Sequence, residues 1–167
     1  MSDEVEIGRG KRGRRAYTLD DIALVPSRRT RDPEDVNVGW QIDAYHVDIP
    51  LMAAPMDSVM SPETAIAFGR LGGIGVLDLD GLWTRYEDPT PILDHIAHLG
   101  EEESIATLQR VYSEPIKPSL ITARLKQLRE AGVVVAGKLS PQRVQKYWRA
   151  VVDAGVDLFI IRGSTVS

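Results

Sequence analysis

Apolar residues fall into short uninterrupted runs along this chain, with longer stretches of mixed polarity between them. Four runs predict strands that are buried on both faces of a parallel sheet, at 49–54, 74–79, 133–136 and 156–161. In the intervening stretches apolar residues recur at helical spacing, which predicts helices at 64–71, 92–99, 101–112, 119–131 and 141–154. Strands that alternate with helices indicate βαβ units on a parallel sheet.

Residue types at the ends of these segments support the predicted boundaries. Ser61 suits an N-cap, and Pro62 follows at the first helical position, where a missing N–H is tolerated. Gly72 comes directly after the same helix and suits its carboxyl end. Nearer the N-terminus, 17–25 alternates loosely and ends at a proline, which predicts a short strand or an entry segment before a turn, while 27–39 predicts irregular surface.

The number of predicted units suggests part of a larger fold. The chain has 167 residues, whereas a closed (β/α)₈ barrel takes about 250 residues. No helix follows the strand at 156–161. We therefore expect roughly the first four βα units of a (β/α)₈ TIM barrel. A doubly wound domain is the alternative, although the glycine-rich run 72–75 precedes its strand and does not follow it as a dinucleotide fingerprint would.

Charge and composition narrow the partners. The formal net charge is −4, which gives no general argument for nucleic-acid binding. Basic residues concentrate near the N-terminus among glycines, at Arg9, Lys11, Arg12, Arg14 and Arg15. Residues 1–16 are expected to form a flexible basic arm, and a phosphate- or partner-binding arm is the alternative. The remainder, 17–167, is expected to be the half-barrel.

Two absences from the sequence exclude further classes. The chain has no cysteine, which excludes disulfides, cysteine metal sites and thiol catalysis within these residues. No apolar signal segment follows Met1 and no run is long enough to span a bilayer. We expect a cytoplasmic protein without a membrane or nucleic-acid partner.

The segment at 50–59 carries the candidate chemistry. Its apolar strand runs straight into a turn that holds Met56, Asp57 and Ser58. Loops at the carboxyl ends of strands hold the ligand sites of α/β barrels. A ligand-binding loop is therefore predicted here.

Four blocks, in the same order, resemble the IMP dehydrogenases and GMP reductases. The block 17–26, Tyr-Thr-Leu-Asp-Asp-Ile-Ala-Leu-Val-Pro, is similar to the N-terminal signature of that family. The block 50–59 is similar to its first barrel strand and substrate loop, 72–76 to its second strand, and 154–157 to the strand before its cofactor loop. Because 78–86 leads directly into helices, no regulatory CBS pair fits there. In lacking room for a CBS pair, the chain resembles the branch of IMP dehydrogenase-related proteins found in actinobacteria and cyanobacteria.

The resemblance implies an oxidoreductase of guanine nucleotide biosynthesis that converts IMP to XMP with NAD. Its catalytic cysteine, phosphate loops and any monovalent-cation site would lie beyond these residues, so no catalytic residue is expected here and the chain alone is expected to be inactive. A homotetramer or octamer is implied for the full-length protein. Two alternatives remain: a GMP reductase that uses NADPH, and a non-catalytic paralogue that binds IMP, XMP or GMP.

The resemblance also assigns substrate-binding residues. Met56 would pack against the purine base, as a polarisable apolar side chain can. Ala54 stands where many members carry a serine near the nucleotide, and Asp80 stands where catalytic members commonly carry an asparagine. Asp57 is expected to hold its loop through hydrogen bonds to the backbone. Arg85 is expected to contact a ligand or another subunit, or to pack locally, and the same holds for Tyr86.

The cofactor-binding residues implied are Arg162, Gly163 and Ser164, in place of an Asp-Ser-Ser sequence. Ser164 matches the family and would approach the nicotinamide. Arg162 cannot accept a hydrogen bond from a ribose hydroxyl, so NAD would bind differently, NADP would replace it, or activity would be lost. Lys138 replaces a small residue and would meet a phosphate or face solvent.

Overall fold

The computed structural model describes residues 4–6, 8–14, 16–25 and 32–163. The chain divides into two compact units, 1–37 and 38–167. No helix in the described part of the chain is both long enough and apolar enough to cross a membrane.

The first unit contains a short hairpin. Strand β1 (Glu4–Glu6) pairs antiparallel with β2 (Arg12–Arg14). Gly8 and Gly10 in the connection both have positive φ, at 68° and 72°, a conformation that glycine adopts without strain. The expected flexible arm at 1–16 thus includes a paired segment, because these two glycines allow the chain to reverse.

A 3-10 helix follows the hairpin, within the segment 17–25 for which a short strand or an entry segment was predicted, so the strand alternative is wrong. It spans Leu19–Asp21. Asp21 Oδ2 accepts hydrogen bonds from the backbone N–H and the hydroxyl of Thr18, both at 2.9 Å. These bonds lower the pKa of Asp21, the backbone bond contributing most. Side-chain bonds to the local backbone favour a turn over a strand, which explains the difference.

The second unit is built on a parallel sheet. Its helices and strands follow one another as β3 (Trp40–Ile42), β4 (Tyr45–Val47), β5 (Met52–Ala53), α1 (Pro62–Arg70), β6 (Ile74–Asp78), α2 (Thr90–Ala97), α3 (Glu101–Val111), α4 (Pro118–Glu130), β7 (Ala136–Leu139), α5 (Pro141–Asp153) and β8 (Leu158–Ile161). Strands β3 and β4 form an antiparallel hairpin, and β5-β6-β7-β8 form a four-stranded parallel sheet in that order. The strand order has no reversal, so the sheet is an unclosed barrel segment and not a doubly wound domain.

The predicted helix ends are largely confirmed. The Ser61 hydroxyl caps α1 by accepting from the Thr64 N–H at 3.1 Å. Gly72, with φ of +93°, ends the same helix. A Cβ at Gly72 would also lie 2.7 Å from Cβ of Asp48, so both conformation and space require glycine there.

Two apolar layers cover the sheet. Leu77, Leu79 and Leu139 pack with the buried faces of α4 and α5, where Leu125 and Val151 are fully buried. On the other face a smaller cluster joins Val47 of β4 to Ile74 and Val76 of β6 and to Ala136, the first residue of β7. The β3–β4 hairpin therefore covers the amino end of the sheet, and the carboxyl end remains for a site.

Two strand predictions need correction. The segment 49–54 was expected to be a strand buried on both faces, but β5 has two residues and Met52 is 45% exposed. It is an edge strand in this chain, paired with β6 alone. The third strand spans Ala136–Leu139, where 133–136 was predicted. It extends beyond the prediction because Gly137 and Lys138 interrupt the apolar run without interrupting the strand.

Candidate functional site

The carboxyl ends of the four parallel strands bring the predicted site residues to one edge of the sheet. Met56 follows β5, Asp80 follows β6, Lys138 lies near the end of β7, and Arg162 follows β8. Register places Asp78 beside Lys138 on neighbouring strands. This edge is where parallel α/β folds bind ligands.

A charged cluster lies at the middle of that edge. Lys138 Nζ is 3.2 Å from Asp78 Oδ1 and 3.1 Å from Asp80 Oδ2. The three side chains are between 16% and 18% exposed. One ammonium thus serves two nearly buried carboxylates, which makes each member of the cluster costly to remove alone.

The cluster sets the protonation of its members. Burial raises the pKa of Asp78 above its usual range, against the hydrogen bonds from Asp80 N–H and Lys138. Burial alone would lower the pKa of Lys138, but the two carboxylates outweigh it and raise that pKa. Lys138 is therefore a charged donor at neutral pH.

Both the carboxylate and the carbonyl oxygen of Asp80 accept hydrogen bonds from neighbouring residues. Its Oδ2 accepts from the Ser140 backbone N–H at 2.6 Å as well as from Lys138. Its carbonyl oxygen accepts from Nε and Nη2 of Arg85, at 3.2 and 2.9 Å. Asp80 therefore ties the end of β6 to the end of β7. Direct contact with a substrate, as predicted from the sequence, would require one of these bonds to be exchanged.

The Met56 loop is held by the residue that follows it. Asp57 Oδ2 accepts from the Leu82 backbone N–H at 2.7 Å and from the Tyr112 hydroxyl at 2.5 Å. Asp57 Oδ1 is buried and has no hydrogen-bond partner among the described residues. It lies against Gly81, where an added Cβ would be 2.1 Å away. The predicted loop-holding role of Asp57 is confirmed, with Tyr112 as an additional donor.

Arg85 and Tyr86 pack locally, which was one of the two interpretations. Arg85 is 6% exposed and also donates to the Glu114 carbonyl. The Tyr86 hydroxyl donates to the Val111 carbonyl at 3.1 Å. Both residues fasten the segment after β6 to the end of α3.

Two cavities adjoin at Pro55. One, of about 450 Å³, is lined by Pro55, Lys138, Ser140, Gln142, Arg162 and Gly163. The other, of about 670 Å³, is lined by Pro55, Met56, Asp57, Ser58, Asp78, Leu82, Leu93, Asp94, Ile96, Ala97, Leu108 and Tyr112. Of the predicted residues, Met56 thus lines one cavity, and Arg162 and Gly163 line the neighbouring one.

Not every predicted residue lies in these cavities. Ala54 and Asp80 are both absent from the lining of the two cavities, and Ala54 is exposed. Ser164 lies outside the described residues. No local pattern indicates Tyr112, Ser140 or Gln142 as site residues, because polar residues at helix ends are common and their partners are distant in the chain.

Comparisons with known proteins agree on one family. Residues 16–165 match the model of the IMP dehydrogenase / GMP reductase domain. An uncharacterized oxidoreductase of Mycolicibacterium smegmatis is 43% identical over 98% of this chain. The inosine-5'-monophosphate dehydrogenase of Methanocaldococcus jannaschii is 42% identical over 38% of this chain and 13% of its own length.

A solved structure agrees as well. The crystal structure of an IMP dehydrogenase/GMP reductase-like protein from Corynebacterium glutamicum matches with a TM-score of 0.81 and 41% identity over 99% of this chain. The chain covers 46% of that protein and 45% of the M. smegmatis relative. It therefore spans slightly less than half the length of these relatives.

Proposed function

Because this chain belongs to the IMP dehydrogenase / GMP reductase family, we propose that it forms the N-terminal half of the barrel of an oxidoreductase that converts IMP to XMP with NAD. In this proposal the chain supplies part of the purine-nucleotide site and part of the cofactor site. The remaining half of the barrel supplies the nucleophile.

One observation carries the proposal. Met56 and Arg162, which are 106 positions apart in the chain, line two cavities that share Pro55. Hydride transfer requires a substrate carbon and a nicotinamide carbon to be in contact, so adjoining sites are what the chemistry needs.

The cavity at Arg162 suits a dinucleotide cofactor. Ser140, Gln142 and Arg162 offer side-chain hydrogen-bond donors for phosphate or carboxamide oxygens, whereas Lys138 is already bound to Asp78 and Asp80. Ser140 and Gln142 also carry oxygens that can accept from ribose hydroxyls. NAD would supply the hydride acceptor, while these residues would bind and orient it. Gly163 would let the cofactor approach the backbone closely.

The nucleophile must come from elsewhere in the full-length protein. The chain has no cysteine, and the proposed reaction needs a thiolate that adds to the purine. The chain by itself should therefore bind nucleotide weakly and turn over none.

A second candidate is reduction of GMP with NADPH. The observation that favours it is Arg162, which lines the cofactor cavity and has no carboxylate partner among the described residues. A free guanidinium can form bidentate bonds to a phosphate such as the one that distinguishes NADPH. A third candidate, a non-catalytic paralogue, is supported by the full engagement of Asp80 with Lys138, Ser140 and Arg85.

Turnover assays of the full-length protein separate the three. With IMP and NAD we expect reduced nicotinamide to accumulate, detected by its absorbance, together with XMP in equal amount. Consumption of NADPH with GMP, and no reaction with IMP, would replace the proposal by the second candidate. Tight nucleotide binding without either reaction would leave the third.

A further inference from the structure

The helical hairpin made by α2 and α3 turns apolar side chains towards a cavity. Leu93 and Ile96 of α2 and Leu108 of α3 line the cavity of about 670 Å³ that contains Met56. Both helices are described throughout, and α2 has no buried residue, while α3 has Val111 alone. Amphipathic helices normally bury their apolar face in the core. Here much of that face is available to a ligand.

Tyr112 fixes this hairpin relative to the Met56 loop. It is the residue at which α3 ends. Its hydroxyl donates to Asp57 Oδ2 at 2.5 Å, and the guanidinium of Arg85 lies 5.5 Å from the centre of its ring. Asp57 is next to Met56 in the chain. The apolar wall and Met56 are therefore parts of one connected arrangement.

The charges around the cavity select the part of a nucleotide that fits. Its lining includes the carboxylates of Asp57, Asp78 and Asp94, and none of its described lining residues is a lysine or arginine. A phosphate would be repelled here. A flat ring with N–H donors would meet apolar side chains on its faces and acceptors at its edge. The volume falls within the usual range for small-molecule sites, about 300 to 1,000 Å³.

We propose that the α2–α3 hairpin is the outer wall of the purine-base subsite, with Leu93, Ile96 and Leu108 contacting the base together with Met56. The inference rests on the proposed function, since it identifies the part of that site which selects the base. The hairpin then contributes to substrate affinity although it lies outside the strand-end loops.

Truncation of the wall in the full-length protein tests the inference. The double variant Leu93→Ala/Ile96→Ala should raise the Kd for IMP about tenfold through lost apolar contact. Ribose 5-phosphate, which lacks the base, should bind as it does to the wild-type protein. Isothermal titration with both ligands measures the two effects. Leu108→Ala is an independent second variant, because Leu108 is 37% exposed and its truncation leaves the core intact.

Ile105→Ala is the matched control. Ile105 is an apolar residue of α3 that is 52% exposed and does not line the cavity, so IMP affinity should be unchanged. The inference is overturned if the wall variants bind IMP as tightly as the wild-type protein does. It is also overturned if their affinities for IMP and for ribose 5-phosphate fall by the same factor. If either result is obtained and the wild-type protein still binds IMP, the role of the hairpin is wrong but the proposed function stands. If it binds no purine nucleotide, the proposed function fails with it.

Discussion

Lys138 on β7 and Asp80 just beyond β6 form an ion pair of 3.1 Å at the carboxyl edge of the sheet. Both residues differ from those expected at their positions from the family resemblance. The two positions are matched in space, since the Lys138 ammonium on β7 contacts the Asp80 carboxylate, which follows β6. Lys138 therefore neither faces open solvent nor stands as an isolated cation, and its charge is shared with Asp78.

Lys138→Met should lower the free energy of unfolding of the full-length protein by about 3 kcal/mol, because two carboxylates lose the one ammonium between them. Burial already raises the pKa of Asp78 above its usual value of 3.8. When the pKa of a carboxyl group is raised in the folded state, the fold loses stability as the pH rises through that pKa. The loss of unfolding free energy caused by Lys138→Met should thus be largest near neutral pH and smaller in acid. Urea unfolding at a series of pH values measures it.

The control for that variant is Lys126→Met, at an exposed position of α4. It should change stability by less than about 0.5 kcal/mol. Equal losses in the two variants, or a loss at Lys138 that grows in acid, would contradict the role given to the cluster.

Gly81→Ala should destabilise the full-length protein by about 2 kcal/mol and weaken IMP binding. An added Cβ would lie 2.1 Å from Asp57 Oδ1, so the Met56 loop would have to move. Thermal unfolding and titration with IMP measure the two effects. Gly100→Ala is the matched control, because an added Cβ there meets nothing within 4 Å. If the two variants behave alike, close packing at Gly81 does not position the loop.

Tyr112→Phe should cost about 1.5 kcal/mol of stability, because the charged Asp57 Oδ2 loses one of its two hydrogen-bond donors. The comparison variant is Tyr147→Phe. The Tyr147 hydroxyl is 3.5 Å from the Ile116 carbonyl oxygen, a distance at which little hydrogen-bond energy is gained. Urea unfolding should therefore show the larger loss for Tyr112, and the reverse order would be inconsistent with the structure.

Asp157→Asn should lower stability by about 2 kcal/mol without changing IMP affinity. Asp157 lies at the amino end of β8 and accepts from Val135 N–H at 2.9 Å, Tyr45 hydroxyl at 2.7 Å and Arg129 Nη2 at 2.7 Å. Burial alone would raise its pKa, but these bonds together lower it. A lowered carboxyl pKa stabilises the fold above the unfolded pKa, and that contribution is lost as the pH falls.

The wild-type protein should accordingly be less stable in acid, and Asp157→Asn should flatten that dependence. Asp153→Asn, at an exposed position of α5, should leave both stability and its pH dependence unchanged. A fall in IMP affinity in Asp157→Asn would mean that the two ends of the sheet are coupled.

The sequence predicts most of the second unit because its helices have strong periodicity. In α4, Ile121, Leu125 and Leu128 are fully buried as their spacing predicts. Prediction failed where side chains override the pattern. Lys138 lies inside β7 although a lysine is unusual in a buried strand, since two carboxylates from the neighbouring segment neutralise it.

The site is less predictable than the fold. Met56 and Asp57 are recognisable because they follow a strand, and strand ends are where ligand loops occur. Tyr112 is 55 positions from Asp57, and nothing local to either residue indicates that they touch. The same holds for Ser140, whose backbone N–H reaches Asp80 across 60 positions. Such contacts depend on how the strands align, which periodicity does not specify.

A crystal structure of the full-length protein with IMP would show whether this edge of the sheet holds a purine nucleotide. We expect the purine ring to contact the Met56 side chain, with carbon–sulfur separations of about 4 Å, and the cavity at Lys138 and Arg162 to remain open to a dinucleotide. IMP bound away from Met56, with the strand ends after β5 and β6 in contact with solvent alone, would contradict the account.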